Sequence, residues 1–308
     1  MVLGEDLVQP PGQPLMRDAL ARRVLDLPTS MNVALAGVPW DWSISGRPGP
    51  RFAPQEIRRN MLSLYPHAPG SGSIGERPYD VGDLRVAPGD HAKTMRRLRG
   101  LSRALYGSFR SVLWLGGDHS ITEYIVEGLV EQRGRATILV LDAHYDMRSV
   151  EEGLSSGTWL WSLKEKLGDK IEAVVAGVED YLNPGYLAER ARKAGVRVIP
   201  ASTIRDHGPA PVLEALDDAR EGPLYVSVDM DHLGQAYAPG VNSPNPLGLD
   251  PQTTITILDA LRETGRCPAG ADIVEYAPTL DPLGSTGRLA GFIALRLASW
   301  MVECNAPG

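Results

Sequence analysis

Two hydrophobic periods alternate along the chain. Short runs that are mostly apolar recur at Val33–Val38, Ser111–Leu115, Ile138–Leu141, Ala173–Val178, Val196–Pro200, Leu224–Val228 and Ala271–Tyr276. Runs this short, rich in valine, isoleucine and leucine, read as strands buried on both faces, as in a parallel sheet. Between them the pattern predicts helices at Pro54–Leu64, Ala92–Tyr106, a segment ending near Gln132, Trp159–Leu167, Pro184–Ala194, Pro211–Ala219, Gln252–Thr264 and Ser285–Glu303. Pro54 suits a first helical turn, where its missing N–H costs nothing. Tyr65–Pro88 reads as loop, and residues 1–30 as a proline-rich N-terminal arm around one helix, Pro14–Leu25. Strands alternating with helices predict an α/β fold of three layers, α/β/α, around a mostly parallel sheet. The irregular spacing favours an open sheet over a closed barrel, and no linker-like stretch divides residues 1–308, so one domain is expected.

Composition narrows the classes of function. With 308 residues, 43% hydrophobic and 22% charged, the chain is ordinary for a globular protein. A net charge of −7 lacks the basic footprint of nucleic-acid binding. No apolar run approaches the roughly 20 residues that span a bilayer, and Met1–Leu27 lacks the apolar core of a signal peptide. Cys267 and Cys304 are too few for a disulfide framework, so a cytoplasmic location is expected. The 25 prolines suit a thermostable protein with stiff loops.

Three of the apolar runs end in candidate metal ligands. Thr137–Arg148 reads TILVLDAHYDMR, placing Asp142, His144 and Asp146 just beyond a buried strand. Ser111–Leu115 leads into Gly116-Gly117-Asp118-His119-Ser120, and Leu224–Val228 into Asp229-Met230-Asp231. Clustered buried carboxylates repel and lose hydration unless a cation holds them. Residues i and i+2 of a strand share a face, so Asp142 and His144 can point together, as can Asp229 and Asp231. Four carboxylates and two imidazoles are too many for one zinc and suit two harder divalent ions; the mixed oxygen and nitrogen set points to manganese. Such a pair makes hydroxide available near neutral pH, which is hydrolytic chemistry. Taken singly, each of these residues has a plainer reading as a turn former or helix cap, Asp118 and Ser120 especially. Three such motifs at three strand ends are not explained that way. His67, His91 and His207 lie in polar, loop-like sequence and are expected to be exposed. His232 is open between a seventh ligand and a supporting or surface role.

Together the three motifs resemble those of the ureohydrolases, the family of arginase, agmatinase and formimidoylglutamase. The resemblance runs over about Val33–Ala298, carried by GGDHS at 116–120, DAHYD at 142–146 and SVDMDHLGQAYAPG at 227–240. GVPWD at 37–41, RPGPRFAPQEIR at 47–58, DVGD at 80–83 and EYAP at 275–278 match more weakly. It implies an arginase-like fold with two manganese ions per subunit at the strand ends. One ion would take His119, Asp142, Asp146 and Asp229; the other Asp142, His144, Asp229 and Asp231, so that Asp142 and Asp229 bridge. It further implies Asp118 as an orienter of a ligand, Glu275 as the partner of a cationic amidine group, and Asp146 as the proton shuttle. The reaction implied is attack of a metal-bridging hydroxide on the central carbon of a formimino or guanidino group, in a homo-oligomer, trimer or hexamer.

Two departures bear on the substrate. Arginases and agmatinases carry a His-Gly pair in the loop after this aspartate motif, where this chain has Ser156-Gly157-Thr158. That loop, Arg148 and the TGRLAG stretch at 286–291 resemble the formimidoylglutamase branch, with Arg148 and Ser156 as candidate substrate contacts. Agmatinase or another guanidino-compound hydrolase releasing urea is the alternative, and a catalytically inactive metal-binding scaffold a remote one. The second departure is Gly234-Gln235 where the family has Asp-Pro, which alters a loop beside the site.

Overall fold

Alternation within the apolar runs is what gives the sheet two dry faces. In the computed structural model, described here over residues 7–8, 27–65, 67–68, 72–219 and 222–306, the strands are β1 (Leu7–Val8), β2 (Thr29–Gly37), β3 (His67–Ala68), β4 (Gly72–Ser73), β5 (Arg77–Leu84), β6 (Ser111–Leu115), β7 (Ala136–Leu141), β8 (Ile171–Val178), β9 (Arg197–Pro200), β10 (Leu224–Asp229) and β11 (Pro268–Val274). The helices are α1 (Ala53–Leu62), α2 (His91–Ser108), α3 (Ile121–Arg133), α4 (Trp159–Leu167), α5 (Gly185–Lys193), α6 (Ala201–His207), α7 (Ala210–Asp217), α8 (Pro251–Glu263) and α9 (Ser285–Cys304). One sheet runs β1-β5-β2-β6-β11-β10-β7-β8-β9, and β3 and β4 form a separate two-stranded ribbon. From β5 to β9 all eight strands are parallel; only β1 at the edge is antiparallel.

Along β6, Leu113 and Leu115 join the core under α1 and α6–α9, while Val112 and Trp114 join the core under α2–α5. Leu139 and Leu141 of β7 split from Ile138 and Val140 in the same way. Helices therefore cover both faces, as the expected three-layer arrangement requires. Among the described residues no helix is long and apolar enough to cross a membrane.

Several expectations change. Tyr65–Pro88 is not all loop, because Arg77–Leu84 is strand β5. Its Pro78, Asp80, Gly82 and Asp83 hide the pattern, and its acids are matched by Arg58, which bonds Asp80 at 2.8 Å and Asp83 at 2.5 Å. The pattern also misses α6, a seven-residue helix that starts directly from Pro200. His91 is not an exposed loop residue: it opens α2 and packs against the rings of Trp40 and Tyr124. His67 and His207 are exposed as expected. Cys267 and Cys304 form a disulfide that ties the start of β11 to the end of α9. The expected helix at Pro14–Leu25 lies outside the described residues.

Candidate metal centre and substrate pocket

β6, β11, β10 and β7 are neighbours in the sheet and parallel, so the residues after their carboxyl ends meet at one edge. This is where open α/β sheets bind ligands. The edge gathers His119 from β6, Glu275 from β11, Asp229 and Asp231 from β10, and Asp142, His144 and Asp146 from β7. The local cause differs from the strand alternation expected above. β7 ends at Leu141, and Asp142 Oδ1 instead accepts the His144 N–H at 2.6 Å. Asp229 Oδ1 likewise accepts the Asp231 N–H at 2.8 Å. Each aspartate folds the chain back on itself through a side-chain turn, which brings residue i+2 beside it. On β6 the approach is tighter still. Asp118 N–H donates to the Trp40 carbonyl at 2.8 Å, and a Cβ on Gly117 would lie 1.8 Å from that oxygen, so only glycine fits.

The six predicted ligands converge. His119 Nδ1 lies 3.2 Å from Asp142 Oδ2, 2.9 Å from Asp146 Oδ2 and 3.0 Å from Asp229 Oδ2. His144 Nδ1 lies 3.3 Å from Asp142 Oδ1 and 3.1 Å from Asp231 Oδ2. Asp142 thus turns one oxygen to each imidazole. Two sets of mutually close ligand atoms result: His119, Asp142 and Asp229, and Asp142, His144 and Asp231. His119 Nδ1, Asp142 Oδ2 and Asp231 Oδ1 are buried without a hydrogen-bond partner. Among the described residues no lysine or arginine pairs with any of the four aspartates. Buried donor atoms left unsatisfied in this way fit two divalent cations sharing Asp142.

Titration behaviour has the same origin. Burial disfavours the imidazolium of His119, but the negative carboxylates of Asp142, Asp146 and Asp229 close around Nδ1 outweigh it and hold its pKa well above the ordinary range. Burial likewise opposes charge on His144, and Asp231 and Asp142 overcome it. Burial and the Asp142 charge push Asp146 up to about 6, and burial with Asp231 and Asp142 pushes Asp229 up strongly. Burial, then Asp118, raises Glu275 as well. Asp146 and Glu275 have φ of 53° and 63°. Left-handed backbone at ordinary residues costs free energy and persists where the surroundings impose it, commonly at functional sites.

The supporting residues depart from expectation. Asp118 does not touch a ligand side chain; its carboxylate accepts the N–H groups of Ser43 at 2.9 Å and Ser120 at 3.1 Å, pinning one loop to another. His119 Nε2 is 2.9 Å from Ser227 Oγ, which donates to Asp272. Asp146 Oδ2 accepts from Trp159 Nε1 at 2.7 Å, and the Trp159 ring packs against His119. His232 is neither a ligand nor at the surface: it is buried between the Asp229 carbonyl and Thr254 Oγ1. Asn183 accepts the Tyr145 N–H and donates to the Ala143 carbonyl, holding the loop that carries the ligands. Ser227, Asp272, Trp159 and Asn183 were not singled out in the sequence. Asp272, a charge inside the apolar run Ala271–Tyr276, was the one visible signal.

A cavity of about 600 Å³ opens over the centre. His119, His144, Asp146, Asp229, Asp231 and Glu275 line it, as do Arg148 and Ser156. Glu275 is fixed by accepting the His119 N–H at 2.9 Å. Arg148 is exposed, and its guanidinium has no partner among the described residues. Ser156 is anchored through its N–H to the Ser43 carbonyl. The TGRLAG stretch lies elsewhere: Gly287 and Gly291 of α9 pack against Asn60 of α1. Gln235 does not line the cavity, but its N–H donates to the Asn245 carbonyl at 2.7 Å. A proline there could not make that bond.

Comparison with known proteins agrees with this geometry. The arginase family matches residues 31–299. A mitochondrial agmatinase of Gallus gallus is 31% identical over 90% of this chain and 82% of its own. A formimidoylglutamase of Bacillus subtilis is 30% identical over 87% of this chain and 86% of its own. The crystal structure of formimidoylglutamase from Bacillus subtilis superposes with a TM-score of 0.87, covering 98% of this chain and 97% of that one at 27% identity. The chain therefore belongs to the arginase family, whose members are binuclear metal hydrolases that cleave the C–N bonds of guanidino and formimino compounds.

Proposed function

We propose that the protein is a binuclear manganese hydrolase for an amidine whose tail carries a carboxylate, most like formimidoylglutamase. The observation behind the metal reading is the pair of ligand sets sharing Asp142, with buried donor atoms of His119, Asp142 and Asp231 unsatisfied. His119, Asp142, Asp146 and Asp229 would hold one ion, and Asp142, His144 and Asp231 the other, with Asp229 reaching both. Carboxylates with imidazole suit manganese. When bound, such a pair acts as a Lewis acid and lowers the pKa of water to near neutrality.

The chain's own residues supply the rest. Glu275 lies on the cavity wall, where a carboxylate can pair with a planar amidinium and orient its central carbon. Asp146 sits at the same floor, 2.9 Å from His119 Nδ1, where its carboxylate would face the attacking water and can take and return its proton. Arg148 favours the acidic tail. An unpaired guanidinium on the wall attracts a carboxylate and repels the ammonium of agmatine. Guanidino acids also satisfy Arg148, so urea-releasing hydrolysis of a guanidino acid is the second reading. As the family resemblance implies, we take the enzyme to be a homo-oligomer, which light scattering tests; the cytoplasmic location expected from the low cysteine count is tested by fractionation, the more so because Cys267 and Cys304 are disulfide-bonded.

Manganese-loaded protein assayed on formimidoylglutamate, guanidinobutyrate, arginine and agmatine, with formamide and urea followed separately, decides among these. Formamide and glutamate from formimidoylglutamate without urea from the others are expected; urea from agmatine overturns the acidic-tail reading. Arg148→Ala should raise KM for the acidic substrate about 10- to 100-fold, the equivalent of one lost charge-assisted bond, and leave kcat nearly unchanged.

A further inference from the structure

A carboxylate inside a buried strand needs a reason. Asp272 lies in mid-β11, between β6 and β10, with no exposed surface. No lysine or arginine pairs with it among the described residues; three hydroxyls do. Ser227 donates to Oδ1 at 2.6 Å, while Thr122 and Tyr225 donate to Oδ2 at 2.6 and 2.7 Å. The carboxylate accepts from all three hydroxyls, and a serine hydroxyl has one proton to give. Ser227 gives it to Asp272. Its 2.9 Å contact with His119 Nε2 must then run the other way, with the imidazole N–H as donor. A neutral His119 is thereby the Nε2–H tautomer, which leaves Nδ1 bare toward Asp142, Asp146 and Asp229. His144 has no comparable support: its Nε2 is 3.4 Å from Ser243 Oγ, and its side chain is 25% exposed.

We propose that Asp272 is a positioning residue which, acting through Ser227, fixes the tautomer of His119 and so sets the affinity of the metal ion on the His119 side. The proposal rests on the metal reading of the centre. It makes a specific demand on asparagine at this position. Two hydroxyls point at one oxygen of Asp272 and one at the other, so an amide would turn its carbonyl to Thr122 and Tyr225 and its NH₂ to Ser227. Ser227 would then be an acceptor toward position 272, and its proton would swing to His119 Nε2. That favours the Nδ1–H tautomer, which cannot ligate.

Manganese titrations followed by electron paramagnetic resonance and calorimetry on wild type, Asp272→Asn, Ser227→Ala and the double variant test this. Wild type should bind two ions per chain. Asp272→Asn should weaken one of them about 10- to 100-fold, the usual loss for a group orienting a metal-binding histidine, and leave the other unchanged. Ser227→Ala alone should weaken the same ion several-fold. In the double variant the misdirected proton is gone, so affinity should recover from the Asp272→Asn value to that of Ser227→Ala. A purely structural defect would add rather than recover. Unchanged affinity in Asp272→Asn, or a double variant no tighter than Asp272→Asn, overturns the proposal while leaving the metal reading intact. Should Asp272→Asn fail to fold, Ser227→Ala with wild-type affinity has the same force. Wild type that binds no manganese overturns the metal reading and this proposal with it.

Discussion

The sheet carries two clusters of carboxylates, one half-buried and one buried, and they are closed in different ways. At Asp80 and Asp83 the cation is part of the chain. Arg58 Nε bonds Asp80, Nη1 bonds Asp83, and Nη2 bonds both Asp80 and the Gly82 carbonyl. Burial opposes the charge on Arg58, and the two acids still hold its pKa above the ordinary value. At Asp142, Asp146, Asp229 and Asp231 four acids meet only two imidazoles, and donor atoms remain unsatisfied. A planar fork that saturates its partners makes a fixed joint between α1 and β5. A cluster with surplus negative charge and open donor atoms can take up something from solution. Acids drawn away from water are common to both regions. What separates them is whether the protein also supplies the countercharge.

Substitutions in the two clusters should accordingly fail in different assays. Asp229→Ala should cut activity by more than about 100-fold, since even a group one step removed from the metal typically costs 10- to 100-fold. Metal-free Asp229→Ala should unfold within about 1 kcal/mol of wild type, because the lost bond to the Asp231 N–H is offset by relief of repulsion among the acids. Calorimetric manganese binding and denaturant unfolding measure both halves; retained activity would refute the site. Arg58→Ala should do the reverse. Leaving two half-buried acids without a partner costs about 3–5 kcal/mol, which denaturant midpoints will register, while manganese stoichiometry in the folded fraction stays at two per chain.

The same contrast explains what the sequence disclosed. The six candidate ligands were legible because Asp142, His144, Asp146, His119, Asp229 and Asp231 stand at the ends of apolar runs, where charge is expensive. The strands ending in them were legible for the same reason. β5 was not, since Pro78, Gly82 and two acids erase the apolar pattern and the compensating Arg58 lies about twenty residues earlier. Nor did spacing reveal that side-chain turns rather than strand alternation bring Asp142 beside His144. Asp118 misled because it adjoins a ligand in sequence, yet its carboxylate faces Ser43 and Ser120. The side chain that bonds the His119 ring is instead Ser227, 108 residues away.

A smaller effect should separate the clusters by their protons. Carboxylates hold His119 and His144 protonated well above the ordinary imidazole range, whereas ligation needs a bare nitrogen. Adding manganese should therefore release protons, and apparent affinity should fall as pH is lowered. The stability contribution has the opposite sign in metal-free protein. A raised folded pKa stabilises fully below the unfolded value near 6.5 and loses that contribution as pH rises toward the folded one. Manganese should thus raise the melting temperature most on the alkaline side. Calorimetry in two buffers of different ionisation enthalpy counts the protons; none released would mean that the imidazoles are not ligands.

The weakest expected effect belongs to His91, whose environment reverses that sign. Burial lowers its pKa, with Asp90 opposing and Lys166 assisting, and the rings of Trp40 and Tyr124 pack against it. The fold prefers the neutral ring, so below about 6.5 the unfolded chain takes up a proton that the native state resists. Its contribution is present above pH 6.5 and lost as pH falls through that value toward the lowered folded pKa. Wild type should lose more melting temperature between pH 7 and pH 5 than His91→Gln, both measured with saturating manganese so that the ligand histidines do not titrate. The gap should be smaller than the Arg58→Ala shift, because a partly exposed ring is partly screened. Parallel pH curves for the two proteins would mean that His91 ionises freely where it packs, and that the ring contacts with Trp40 and Tyr124 place no demand on its charge.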